Sequence, residues 1–332
     1  MLLDNTPISC KTIGELFQLD GKRLEEQYAA HLSGYTEWDQ LEHANNWILY
    51  PENVGEYLSI DETNLSNGEL YTVLTNKAAK GKKGALIALV KGTVSDNVIE
   101  ILYKIPENIR KKVKEVTLDL APTMERIVRK SFPKAKLVSD RFHVQQLASD
   151  AVQEIRIKHR WEAIEQENKE MELAKELKLK FIPEVLKNGD TLKQLLARSR
   201  YLLYKSENSW SVSQNERAEI LFELYPNLEK AYKLSRQLSD IFNKTKERLV
   251  AFKKLAIWYQ DVENSGFKSF LTISKTFQNN YENILNYFDN RSTNASAESF
   301  NAKIKSFRRQ FRGVRDVSFF LFRLQMSVPE IG

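Results

Sequence analysis

Cysteine is almost absent from this chain of 332 residues, because Cys10 is the only one. An intrachain disulfide is therefore excluded, and so is a zinc site built on cysteine ligands. The four histidines are scattered and do not have the spacing of metal ligands. Disulfide scaffolds and zinc fingers are thereby ruled out as classes for this chain.

Long apolar runs are also missing. The longest candidate, Gly84 to Val90, has the length of a strand, whereas a membrane span needs about 18 apolar residues. The N-terminus does not have the layout of a signal peptide, and neither an internal repeat nor a low-complexity linker is present. These absences predict a soluble, cytoplasmic protein that has no membrane partner.

The composition is that of a folded protein with a mild excess of positive charge. Hydrophobic residues make up 42% of the chain, which is enough for a sizeable core and excludes global disorder. Lys and Arg number 50 against 44 Asp and Glu, which gives a net charge of +6. A basic balance favours polyanionic partners, but the position of the cations is more informative than their number.

Hydrophobic periodicity predicts an α/β segment between two helical regions. Residues 11 to about 50 are predicted to be helical and amphipathic. Three segments with short links then predict an antiparallel meander of strands: Glu56–Asp61, Glu69–Asn76 and Gly84–Val90. A helix, a strand, a helix and a strand follow in turn: Asp96 to Val113, Glu115–Asp119, Pro122 to Phe132 and Ala135–Asp140.

The remainder of the chain is predicted to be helical. From Val144 to about Tyr287 the sequence shows no period-two alternation, and its apolar residues recur at three- and four-residue spacing. Two further helices are predicted near the C-terminus, from about Asn294 to Gly313 and from Val317 to Met326. The length therefore fits either two domains or one domain with a large insertion.

Three of the predicted strands end in an aspartate: Asp61, Asp119 and Asp140. If the first and fourth strands run parallel side by side, Asp61 and Asp119 lie at one sheet edge, where the active sites of such sheets gather. Two close carboxylates repel each other unless a cation joins them, and Mg²⁺ prefers such hard oxygen ligands. Two ions about 3.5–4 Å apart can activate the attacking oxygen and stabilise the leaving oxygen of an in-line displacement.

A structural interpretation stays open for each aspartate, since Asp at a strand end is often a turn or N-cap residue. Asp119 and Asp140 can each cap the helix that follows them. Glu62 is an alternative ligand beside Asp61, although strand alternation points its side chain to the other face. His143, close behind Asp140, either orients a water or a phosphate or makes a structural hydrogen bond.

Glu298 lies early in the penultimate helix and starts a face that continues in cations: Lys305, Arg308, Arg309 and Arg312. The opposite stripe, with Phe300, Ile304 and Phe307, has the spacing of a buried seam. No acid lies between Lys303 and Arg315 to balance the cations. The row therefore suits contacts with DNA phosphates, with a solvated amphipathic helix as the alternative.

With these residues assembled, the chain resembles the DDE transposases of bacterial insertion sequences, in particular the ISL-three group and the related ISAon-one type. The matching segments are LSIDET (Leu58–Thr63), VTLD (Val116–Asp119), LVSDRFHV (Leu137–Val144) and TNASAESFNAKIKSFRR (Thr293–Arg309). The last two are the more specific, and the segments occur in the expected order.

The resemblance implies an α/β, ribonuclease H-like fold, in which a mixed five-stranded sheet has flanking helices and a large all-α insertion. It implies a DDE triad of Asp61, Asp119 and Glu298 that is catalytic and holds Mg²⁺ or Mn²⁺, as two ions. Asp140 and His143 are auxiliary candidates. The implied division is an N-terminal helical segment (1–54), the first part of the catalytic core (55–144), an all-helical insertion (145–290) and C-terminal helices of the core (291–332).

The implied function is strand cleavage and strand transfer on double-stranded DNA, at the transposon ends and the target. The chain is expected to associate with itself on this DNA and to be located at the nucleoid. Longer relatives recognise transposon ends through an N-terminal zinc-binding and helix-turn-helix region. Because cysteine pairs are absent here, end recognition is expected from a missing segment, a separate polypeptide or the short N-terminal helices. Two other functions stay open: a metal nuclease of the same fold that does not join strands, and a non-catalytic DNA-binding protein descended from a transposase.

Overall fold

Six strands form one mixed β-sheet. The computed structural model describes residues 2–6, 8–66, 68–311, 314 and 316–326. The strands are β1 (Trp47–Leu49), β2 (Tyr57–Ser66), β3 (Glu69–Asn76), β4 (Leu86–Lys91), β5 (Glu115–Leu118) and β6 (Lys136–Ser139). Their order across the sheet is β1-β4-β3-β2-β5-β6.

The pairing of the strands agrees with the predicted connectivity. β2, β3 and β4 form the antiparallel meander, whereas β5 pairs parallel with both β2 and β6. The first and fourth predicted strands therefore run parallel side by side, as the argument for a shared carboxylate site requires. The turn predicted at Ser66-Asn67-Gly68 falls partly on Asn67, which lies outside the described residues.

The prediction of five strands was wrong, because it missed β1. Trp47–Leu49 has only three residues, too few for period-two alternation to stand out, and the helical prediction for residues 11 to about 50 ran across it. This segment is a strand because it pairs antiparallel with β4, with Ile48 opposite Leu89. Pairing with a neighbour distant in sequence, and not local propensity, creates the strand.

The prediction that Asp61 ends its strand was also wrong. β2 continues to Ser66 because β3 pairs with it beyond that point, with Asp61 opposite Val73 and Thr63 opposite Tyr71. The ladder is formed by backbone groups, so the polar side chains that follow Asp61 do not interrupt it. Asp61 therefore lies inside a ten-residue strand.

The helices lie before, between and after the strands. They are α1 (Leu2–Asn5), α2 (Cys10–Phe17), α3 (Gly21–Gln27), α4 (Ser95–Leu102), α5 (Glu107–Arg110), α6 (Pro122–Ser131), α7 (Arg141–Glu176), α8 (Leu192–Arg198), α9 (Val212–Leu224), α10 (Pro226–Lys244), α11 (Arg248–Ser265), α12 (Lys268–Asn279), α13 (Tyr281–Leu285), α14 (Tyr287–Asn290), α15 (Ala295–Gln310) and α16 (Val317–Met326). In the described part of the chain, no helix combines the length and the apolar character needed to cross a bilayer.

The chain divides into two units, and the first comprises Met1–Asp140 and Asn290–Gly332. Its sheet has a hydrophobic cluster on each face. Ile60 packs in one cluster with Ile127 of α6, whereas Val73 packs in the other with Phe300 and Ile304 of α15. Each fully buried side chain of this size contributes roughly 1.5–3 kcal/mol to stability. The predicted apolar stripe therefore holds α15 against the sheet.

The second unit is Arg141–Asp289, and all of its residues are described. Its regular elements are helices throughout, from α7 onwards, as the missing strand periodicity predicted. Trp258 lies in its interior, where the indole Nε1 donates to the carbonyl of Leu234 at 2.9 Å. The four-part division of the chain and the role of this unit as an insertion domain stay predictions.

Candidate active site

Asp61 lies in β2, and Asp119 directly follows its parallel neighbour β5. In the ladder between β2 and β5, Ser59 pairs with Thr117. Side chains alternate along a strand, so the next residues on the same face are Asp61 and Asp119, two positions farther along each chain. Neighbouring strands lie about 4.8 Å apart, so this register predicts that the two aspartates lie side by side just beyond the last paired residues.

The carboxylate of Asp61 is oriented from two directions. Its Oδ1 accepts a hydrogen bond from the backbone N–H of Glu62 at 2.8 Å, and its Oδ2 accepts one from Asn301 Nδ2 at 2.8 Å. The same amide nitrogen donates to the carbonyl of Glu62 at 3.2 Å. Asn301 was missed as a functional candidate, although it lies three residues after Glu298 and hence on the same helical face.

Asp119 follows the last residue of β5 and makes a turn contact. Its Oδ1 accepts a hydrogen bond from the backbone N–H of Ala121 at 2.9 Å. The interpretation of Asp119 as a helix cap was wrong, because the N-cap of α6 is Ala121 and no side chain caps this helix. The turn interpretation is supported, since the contact lies just before α6. A carboxylate has two oxygens with several acceptor sites, and a turn contact through one oxygen is compatible with a ligand role.

Negative charge is concentrated at this point of the sheet. Burial, followed by the charges of Asp119 and Asp61, raises the pKa of Glu62 above its ordinary value. The carboxylates therefore influence one another, even though alternation assigns Glu62 to the other face. A bound cation would relieve this repulsion.

Glu298 is an exposed residue in the first turn of α15. Two asparagines on its helical face attach α15 to β2. Asn294 Nδ2 donates to the carbonyl of Ile60 at 3.4 Å, and Asn301 bonds Asp61 as described. Because the spacing of four and three residues puts both asparagines on the face of Glu298, this residue lies on the side of α15 that meets β2 around Asp61.

The donor chemistry of these residues fits a divalent cation, because carboxylate oxygens are the ligands that Mg²⁺ prefers. Over the ranges that the structure describes, no group of three or more His, Cys, Asp or Glu side chains is close enough to hold a metal ion. The register of β2 and β5 puts Asp61 and Asp119 on one face of the sheet, and α15, which carries Glu298, is attached to β2 at Asp61. The convergence of all three carboxylates stays a prediction.

The two auxiliary candidates lie in different units. Asp140 is buried, and its Oδ1 accepts a hydrogen bond from the backbone N–H of Asn294 at 3.2 Å. Asp140 therefore helps to fix the start of α15. His143 lies in the first turn of α7, in the second unit, and its ring contacts that of Phe142 edge-on with centroids 5.9 Å apart.

The predicted DNA-binding row on α15 is not uniform. Lys305 and Arg309 are exposed, as a binding surface requires. Arg308 is half-buried, and its guanidinium donates to Asn64 Oδ1 at 3.2 Å and to the Asn64 carbonyl at 3.4 Å. Arg308 therefore also holds α15 on β2. Arg312 lies outside the described residues.

A second basic surface, not predicted to bind DNA, lies on the loop between β3 and β4. The sequence signal was the run KAAKGKK, which was interpreted only as a hairpin loop. Lys303 Nζ of α15 donates to the carbonyl of Gly81 and holds the loop in place. A pocket of about 380 Å³ lies between the loop and the start of α15. Its lining carries two ammonium groups and four hydroxyls: Lys77, Lys80, Ser292, Thr293, Ser296 and Ser299.

Lys77 connects this pocket to the carboxylate strands. Its Nζ donates to Thr117 Oγ1 and, at 3.3 Å, to Glu115 Oε1. Burial lowers the pKa of Lys77, and the charge of Glu115 opposes that shift. Glu115, Thr117 and Asp119 are spaced by two residues and share one sheet face. The ammonium group of Lys77 therefore lies on the same face of the sheet as Asp119, next to the two preceding residues on that face, Thr117 and Glu115.

Comparison with known families identifies the family of this chain. A family model described as a transposase, of the DDE type and the ISL-three group, matches residues 58–324. The matched range includes Asp61, Asp119 and Glu298. A search among curated proteins produced no match. Since the family model covers most of the chain, the protein belongs to the ISL-three family of transposases.

Proposed function

We propose that this transposase cleaves DNA strands at the ends of an insertion sequence and joins them to target DNA in metal-dependent reactions. Asp61, Asp119 and Glu298 are the proposed catalytic residues. The register of β2 and β5 supports the proposal, because Ser59 lies opposite Thr117 and both strands alternate in phase on the sheet face that α15 covers. The partners are double-stranded DNA and further copies of the chain assembled on it.

The proposed fold is ribonuclease H-like. Its support is the order of the elements, in which an antiparallel meander precedes two parallel strands that are separated by a helix. The helical segment Arg141–Asp289 enters the chain after β6 and before α15. An insertion at this point explains why Glu298 is so distant in sequence from Asp119.

The proposed cofactor is a pair of Mg²⁺ or Mn²⁺ ions. When bound, such ions supply charge stabilisation for the attacking and leaving oxygens of an in-line displacement. Asp61, Asp119 and Glu298 would hold the ions. The pKa of Glu62 is raised by burial and then by the charges of Asp119 and Asp61, and these charges support a cation at this place.

The contribution of the protein itself is mainly to position the DNA. The exposed cations Lys305 and Arg309 extend from the helix of Glu298. At about 1.5 Å per residue, Arg309 lies about 16 Å along α15 from Glu298. This row and the loop between β3 and β4 would bind phosphates on either side of the reacting phosphate. Binding at fixed positions would hold the reacting phosphate in the geometry that the reaction requires.

The deciding experiment is incubation of the chain with labelled duplexes that carry candidate transposon ends, in Mg²⁺ or Mn²⁺, with the products resolved strand by strand. Strand cleavage followed by joined products supports the proposal. Cleavage without joining indicates a nuclease of the same fold. Salt-dependent DNA binding that gives no metal-dependent product indicates a non-catalytic DNA-binding protein.

The place of Glu298 requires a separate test. Fe²⁺ with ascorbate and peroxide produces radicals that cut the polypeptide close to a bound ion. Cuts near Asp61, Asp119 and Glu298, all lost in Asp61→Asn, are expected if the three carboxylates converge. Cuts near the two aspartates alone would remove Glu298 from the site.

A further inference from the structure

Asn301 is a buried amide that links the helix of Glu298 to the carboxylate of Asp61. Its side chain is only 8% exposed, and its Nδ2 lies 2.8 Å from Asp61 Oδ2. Its Oδ1 is buried and, within the described residues, accepts no hydrogen bond. A buried amide oxygen without a donor is unfavourable. Asn294 Oδ1 is buried without a donor as well, so what distinguishes Asn301 is the group to which its Nδ2 donates.

Asn294 provides the contrast. It lies two helical turns earlier on the same face, and its Nδ2 also donates to β2. Its acceptor is the backbone carbonyl of Ile60, whose position is set by the strand itself. The acceptor of Asn301 is a side-chain carboxylate, which is free to rotate unless its oxygens are held. The two asparagines therefore attach the same helix to the same strand. The side chain of Asn301 donates to a carboxylate, whereas Asn294 contacts one, that of Asp140, through its backbone N–H.

We propose that Asn301 is a positioning residue, which fixes the orientation of the Asp61 carboxylate for a divalent cation. This inference rests on the proposed metal-dependent function. The N–H of Glu62 holds Asp61 Oδ1 and the amide of Asn301 holds Oδ2, so both oxygens have a defined direction. Both of these donors are neutral amides, so they orient the carboxylate without adding a positive charge beside it. Outer partners of this kind orient metal ligands, and their loss typically weakens metal binding about 10–100-fold.

The test is the affinity of the full chain for Mn²⁺ in the absence of DNA, measured from the electron paramagnetic resonance signal of the free ion. Asn301→Ala should raise the dissociation constant about 10–100-fold. Asn301→Leu, which fills a similar volume without a donor, should do the same and guards against a cavity effect. Asn294→Ala is the matched control, and it should leave the Mn²⁺ affinity within about twofold of wild type.

A double-mutant cycle separates positioning from general stability. In the Asp61→Asn background, Asn301→Ala should have no further effect on Mn²⁺ affinity, because the group that it orients has lost its charge. Equal losses in Asn301→Ala and Asn294→Ala, or full affinity in both Asn301 variants, would overturn the inference. Mn²⁺ binding that does not depend on Asp61 at all would instead overturn the proposed metal site, so the two failures are distinguishable.

Discussion

Ser59 pairs with Thr117 across the parallel strands β2 and β5. Because side chains alternate along a strand, Asp61 and Asp119 are the next residues on the same face of the sheet as this pair. Two carboxylates on adjacent strands repel each other, and a divalent cation is the simplest partner that would hold both. The chemistry proposed for this transposase depends on that pair.

Asp61→Asn and Asp119→Asn should each lower DNA cleavage on the order of 10²–10⁴-fold, because each removes an anionic ligand at nearly constant shape. DNA binding should stay equal or become tighter, since affinity comes from the cations and a nearby negative charge is lost. Single-turnover cleavage assays and filter binding in Mg²⁺ measure the two effects. Cleavage at the wild-type rate by either variant would exclude that residue from catalysis.

Arg309→Glu and Arg308→Glu should differ, because only Arg308 bonds Asn64. Arg309→Glu should weaken DNA binding for all sequences alike and flatten the slope of log affinity against log salt by about 0.9 per lost contact. The melting temperature should not change. Arg308→Glu should lower the melting temperature as well. If Arg309→Glu leaves both affinity and slope unchanged, α15 does not contact the DNA backbone.

Lys82→Glu with Lys83→Glu tests the loop between β3 and β4. Both residues are exposed, so their reversal should leave the melting temperature close to that of wild type. DNA affinity should fall and the salt slope should decrease by about 0.9 per lost phosphate contact. Lys134→Glu, at an exposed position outside this loop, is the matched control. Equal losses in the control and the loop variant would indicate a diffuse charge effect without a binding loop.

Glu62→Gln should stabilise the metal-free protein at neutral pH. The pKa of Glu62 is raised in the folded protein, so folding takes up a proton between its ordinary pKa and the raised one. Stability is therefore reduced above the raised pKa and recovered as the pH falls through it. The gain in melting temperature should shrink as the pH approaches the ordinary value of 4.5. Exposed Glu100→Gln is the control, and a gain independent of pH would contradict the crowding of charge.

Asp190→Asn should destabilise the helical unit Arg141–Asp289 by roughly 3 kcal/mol, because it breaks a buried ion pair from one side. Asp190 is 1% exposed and accepts hydrogen bonds from Arg198 and, at 2.9 Å, from Arg217. Urea unfolding measures the change, with exposed Asp150→Asn as the control. Equal urea midpoints of unfolding in Asp190→Asn and Asp150→Asn would show that the ion pairs of Asp190 do not stabilise the unit.

The same pair predicts a pH dependence. Although burial opposes it, the hydrogen bonds of Arg217 and Arg198 hold the pKa of Asp190 below its ordinary value. The stabilisation is therefore complete above the ordinary value of 3.8 and is lost as the pH falls through the lowered pKa. In Asp190→Asn, unfolding should not show this acid-dependent component.

Local pattern was sufficient for most elements of the fold. Alternation predicted the meander, and three- and four-residue spacing predicted the helical stretch and the apolar stripe of α15 that ends up buried against the sheet. Both patterns arise from the geometry of a single strand or helix, so they are visible in a short stretch of sequence. The parallel pairing of the first and fourth predicted strands agrees with the expectation from the sequence as well, and the convergence of Asp61 with Asp119 stays a prediction.

Only the tertiary structure decided what distant residues do to one another. Pairing with β4 makes Trp47–Leu49 a strand, and pairing with β3 carries β2 past Asp61. The contacts of Asn301 with Asp61 and of Arg308 with Asn64 join residues that lie more than 200 positions apart. The sequence by itself determined which groups carry charge and which helical face each occupies. A hydrogen bond across such a separation depends on how the helix docks on the sheet, and that docking is not contained in the pattern of either segment.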